Sequence, residues 1–120
     1  MSADDRARVA RRAALRRWTR ERFGAESFAE LGLPGGEIVD RGIDDLAAGV
    51  ESVESLLISV AAPRLRREGV PLPRHTFDES ESRLYRAIER ESPSLAHARY
   101  LAYLEQASSF ADACHGRRAR

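Results

Sequence analysis

Four arginines, Arg8, Arg12, Arg16 and Arg20, recur at every fourth residue near the start of this chain. On an α-helix that spacing stacks their side chains in one row. Each guanidinium is a planar, permanently charged fork that fits carboxylate or phosphate oxygens in pairs. Like charges at this spacing oppose helix formation by roughly 0.2–0.5 kcal/mol per pair, so the row calls for nearby anions or for solvent. It is the candidate binding site of the sequence. Residues 1–24 hold eight arginines against three acids, a net of +5, whereas residues 25–62 hold eight acids against Arg41 alone, a net of −7. The whole chain returns to +1. A basic segment followed by an acidic one implies attraction within the chain or between chains. The alternative is a nucleic-acid-associated regulator, with the arginine row on phosphates and Trp18 beside it. Acids sharing that surface would repel nucleic acid, and the near-neutral total differs from a dedicated nucleic-acid binder. All twenty basic residues other than histidine are arginine. A GC-rich coding sequence accounts for that, so arginine identity alone does not mark phosphate ligands.

The three histidines, His75, His97 and His115, fall in different segments. Asp112-Ala-Cys-His115 puts a carboxylate, a thiol and an imidazole at one helix end. One segment does not supply a metal's full ligand set, and no metal or cofactor is expected. Cys114 is the only cysteine; it has no intrachain disulfide partner and reads as a reduced cytosolic thiol. No phosphate-binding loop, dinucleotide fingerprint or nucleophile elbow is present. Arg90 and His97 could act together on phosphate esters, the histidine moving a proton and the arginine stabilising the charged intermediate. An arginine, six intervening residues and a histidine at the start of a final helix loosely resembles the HEPN family of small helical proteins. That resemblance implies a ribonuclease, or an antitoxin relative, with an Arg90–His97 pair from each of two subunits forming the site. It spans only Arg90 to His97; Glu91 stands where the family carries a small polar residue, and Pro93 falls within the spacing.

Helices must position these groups. The first is predicted from about Asp4 to Phe23, with acids at its positive end, Gly24 as its stop and a thin apolar face of Ala7, Ala10, Ala14, Leu15 and Trp18. Residues 24–36 are read as a connector broken by Leu33-Pro34-Gly35-Gly36, with one helical turn at Ser27–Leu31. Ile43, Leu46, Val50, Val53, Leu57 and Val60 alternate steps of three and four, which predicts one central helix reaching Ala62. Within it, Gly42 and Gly49 mark either close helix contact or a bend. Pro63 is read as a kink or the start of a short helix over Arg64–Glu68. Val70–Pro73 is extended, and Thr76 with Glu79 forms a capping box for a helix burying Leu84, Tyr85 and Ile88. Ser92-Pro93 opens the last helix, whose apolar face carries Tyr100, Leu101, Leu104, Ala107, Phe110, Ala111 and Cys114. Arg117, Arg118 and Arg120 form a basic tail.

Length and pattern together predict a single all-α domain over residues 1–120, an irregular bundle of four main helices plus one or two short ones. Neither a membrane span nor a secretory signal is read. With catalytic motifs missing and complementary charged and apolar faces present, the expected role is a non-enzymatic cytosolic interaction or regulatory module. A protein partner is expected, most simply a second copy in a twofold dimer.

Overall fold

The computed structural model describes residues 2–25 and 27–118, and the side chains of these except Asp4, Ala7, Arg8, Arg11, Arg117 and Arg118. Five α-helices form an irregular bundle: α1 (Ala3–Phe23), α2 (Gly36–Ala47), α3 (Val53–Arg67), α4 (Ser80–Glu91) and α5 (Ala96–Arg118). Among the described residues there is no strand, and no helix is long and apolar enough to cross a membrane. Ser2 caps α1 by accepting the Asp5 N–H at 3.1 Å. Gly24, at φ +75°, closes the helix with its own N–H on the Arg20 carbonyl.

The predicted central helix is two helices. The chain leaves α2 at Ala48, turns at Gly49 in the left-handed region (φ +72°), and restarts at Ser52. Ser52 and Ser55 form a reciprocal capping box, and Ser52 Oγ donates to Asp45 at 2.7 Å. The linker preserves the three–four spacing, so the apolar pattern runs through a break that it does not reveal. Val50, placed in that seam, is 49 % exposed. Pro63 neither ends nor restarts a helix; it lies on the solvent side of α3, which continues to Arg67 and stops before Gly69. Burial of Ala62 and Leu65 on the opposite side outweighs the lost N–H donor and ring clash, which cost about 3 kcal/mol in a free helix.

The Thr76–Glu79 capping box does not form. Phe77 packs against the core and its N–H donates to Ser59 Oγ at 3.2 Å, so α4 starts only at Ser80. Pro93–Leu95 forms a 3₁₀ turn ahead of α5. Leu101, expected on the inner face of α5, is 51 % exposed.

α3 is the central helix. One side, with Ile58 and Leu65, faces a cluster holding Phe28, Ile43, Phe110 and Cys114; the other, with Leu56 and Leu57, meets Leu84, Ile88 and Ala107. Each fully buried side chain of this size contributes roughly 1.5–3 kcal/mol of transfer free energy.

Candidate functional site

Among the described side chains, α1 packs against the hydrophobic core through its C-terminal half, with Leu15, Trp18 and Phe23. Its inward face is turned from the predicted one: Leu15 and Trp18 are half-buried and Thr19 fully so, while Ala10 and Ala14 are exposed and Ala7 lies outside the described side chains. The turn comes from four rings. Trp18 meets Phe23 edge-on at 5.5 Å and Phe28 at 6.0 Å, and Phe28 in turn packs against Phe110 at 4.7 Å. A string of aromatic edges therefore fixes the end of α1 against α5, and alanines have too little surface to compete.

Upstream of that anchor, α1 and α2 border a surface groove of about 380 Å³. Leu15 and Ile43 give it apolar surface, and Arg12, Arg16, Glu37, Asp40 and Asp44 line it with both signs of charge. Arg12 donates to both oxygens of Asp44 through Nε and Nη2. The hydrogen bonds to Asp44, aided by its charge, hold the guanidinium more firmly protonated than usual, against some desolvation. Arg16 faces the same groove. Arg20 is exposed at the anchored end, and the Arg8 side chain lies outside the described residues. The sequence row thus reaches the acids of α2 in its middle.

Asp40 has a structural duty that sequence reading missed. Its two oxygens accept the Phe28 N–H at 3.2 Å and the Ala29 N–H at 2.9 Å, pinning the connector turn beside the groove. Burial pushes its carboxyl above the ordinary aspartate value; the two N–H bonds pull the other way and the Glu37 charge adds to the rise. An aspartate twelve residues past its partner carries no local cue, so only tertiary placement reveals it.

The other sequence candidates separate. Arg90 lines a small cavity with Glu51, Arg83 and Arg86. His97 is exposed, and its ring stands 6.5 Å from that of Tyr85. Tyr85 and Arg90 are five residues apart on α4, which at about 100° per residue places them about 140° apart around its axis. Asp112 pairs with Arg64 at 2.7 Å, Cys114 is buried, and His115 Nδ1 lies 3.3 Å from buried Glu68. Among the described residues no three His, Cys, Asp or Glu side chains gather as a metal-holding group. His75 is exposed in the extended segment before α4.

No protein-family model, curated protein or solved structure matches this chain.

Proposed function

We propose that this chain is a small cytosolic protein–protein interaction or regulatory module, without catalytic activity, whose simplest partner is a second copy of itself. The outward face of α1 carries this reading. Val9 is 54 % exposed, and Ala10, Ala13 and Ala14 are exposed with it. Small apolar side chains let another helix approach closely. The flanking charges supply the complement: a basic α1 and, on α2, the exposed acid Glu37 at the groove. In a twofold arrangement at this edge, each protomer's basic helix meets the other's acidic one, so a single surface satisfies both partners.

The same groove weighs against nucleic acid, because carboxylates stand beside Arg12 and Arg16 where phosphates would have to sit. The ribonuclease alternative is weakened because His97, on α5, stands beside Tyr85, about 140° around α4 from Arg90. Light scattering coupled to gel filtration tests the dimer over a concentration series. Twice the chain mass is expected, falling to the monomer for Val9→Glu or Ala13→Glu. A strict monomer at high concentration and low salt removes the proposal.

A further inference from the structure

Three arginines, Arg83, Arg86 and Arg90, share one face of α4 beside the α2–α3 linker. With Glu51 they line a cavity of about 190 Å³ in which every lining side chain is charged. Arg83 is fixed on three sides. Its Nη2 meets the Glu51 carboxylate, its Nη1 donates to the Asp78 carbonyl at 3.1 Å, and its guanidinium lies 5.3 Å from the Phe77 ring centroid. Among the described residues Glu51 is the only acid lining the cavity, and it is engaged with Arg83, so this pair adds no net charge.

Arg86 and Arg90 remain. Arg86 Nε donates to the Ser82 carbonyl one turn back, at 3.4 Å. Among the described residues neither arginine has a carboxylate within ion-pair distance. Two such charges at four-residue spacing oppose the helix that carries them, and a bound anion would reverse that effect. Their planar donors suit an oxyanion with several acceptor atoms.

We infer that the Glu51–Arg83–Arg86–Arg90 cavity is an anion site for a terminal phosphoryl group, either free phosphate or a phosphomonoester. A phosphomonoester carries about −1.5 to −2 charges near neutral pH, which matches the two uncompensated arginines. A carboxylate or a phosphodiester carries one charge and leaves the second arginine unanswered. Among the described residues no aromatic ring lines the cavity, so a base has no stacking platform and the phosphoryl group itself is what the site reads. The site is independent of the α1–α2 edge and does not rest on self-association.

The test is a ¹H–¹⁵N NMR titration of the full chain at constant ionic strength, with inorganic phosphate, O-phosphoserine and dimethyl phosphate as separate probes. Saturable shifts are expected in α4 and around Glu51 with the first two, and only weak, unsaturated drift with the monoanionic diester. The double substitution R86Q/R90Q should raise the midpoint by at least about tenfold, since it removes two charge-assisted donors. Glutamine keeps the helix propensity of arginine, and an unchanged far-UV circular dichroism spectrum verifies the fold. R22Q, on α1, should leave the titration as it is. Tighter binding of O-phosphoserine than of phosphate identifies an esterified ligand; tighter binding of phosphate identifies the free ion. Equal midpoints for the parent and R86Q/R90Q, or for phosphate and dimethyl phosphate, overturn the inference.

Discussion

The Arg12 guanidinium closes on Asp44 as a fork on a fork, with Nε on one carboxylate oxygen and Nη2 on the other. It ties the middle of α1 to α2, between an exposed N-terminal stretch and the aromatic anchor at Trp18. Both side chains keep contact with water, at 44 % and 27 % exposure, so their coupling is that of a surface pair. A double-mutant cycle with Arg12→Ala and Asp44→Ala should give no more than about 1 kcal/mol in urea denaturation, shrinking in molar salt. The first half of α1 should then exchange its amide hydrogens faster in Arg12→Ala, while α3 keeps its protection. Unchanged exchange in α1 would show that the pair does not hold the helix down.

Gly42 is where α2 and α3 touch. A Cβ at that position would stand 2.6 Å from the Glu54 carbonyl oxygen and against the Ile58 side chain. Gly42→Ala should therefore destabilise the fold by about 1–3 kcal/mol through overpacking, despite the better helix propensity of alanine. Gly49 answers to a different constraint: its Cβ would meet nothing within 4 Å, but φ is +72°. Gly49→Ala should cost about 1–2 kcal/mol from backbone conformation alone. Urea melts of the two variants test both, and a Gly42→Ala protein as stable as the parent contradicts the close contact.

These two glycines show what could be read in advance. Sequence gave two uses for them, close contact and a bend, and the structure assigns one to each. All-helical character and the helix-forming segments followed from periodicity, and Leu84, Ile88 and Phe110 lie in the core where the pattern put them. The break at Gly49 was masked because the linker keeps Val50 and Val53 in register with the seam. Pro63 was read by its local cost, whereas Ala62 and Leu65 decide its setting through burial. At the candidate site, the arginine row was visible because it is local. Its partner was not, because Asp44 lies 32 residues away and meets Arg12 only after the aromatic rings have turned α1.

Those rings provide a spectroscopic probe. Trp18 is the only tryptophan, and Phe28, which packs against both Trp18 and Phe110, is fully buried. Phe28→Ala should cost about 3–5 kcal/mol, with Trp18 emission shifting to longer wavelength as water reaches the indole. Phe28→Leu keeps most of the volume and should lose less. If Trp18 emission is unchanged in a folded Phe28→Ala protein, α1 is anchored by something other than this aromatic contact.

Asp40 makes stability depend on pH, and the sign is opposite to that of a carboxylate stabilised by an ion pair. Its folded-state pKa lies above the ordinary 3.8 because burial, assisted by the Glu37 charge, disfavours the anion more than the Ala29 and Phe28 N–H bonds favour it. Below 3.8 both the folded and the unfolded chain hold the proton, and Asp40 contributes no slope. As pH rises, the unfolded chain releases the proton first, so Asp40's contribution to stability is lost progressively until the folded pKa is passed. The stability of the parent minus that of Asp40→Asn should therefore fall with rising pH across this interval and then level off. Asparagine keeps one acceptor for the connector turn, so the variant should fold, with a constant offset from the lost second hydrogen bond of about 1 kcal/mol. NMR titration of the Asp40 carboxyl carbon gives the direct reading. A midpoint at or below 3.8, or a stability difference that grows with pH, would mean that the two backbone N–H groups outweigh burial at this site.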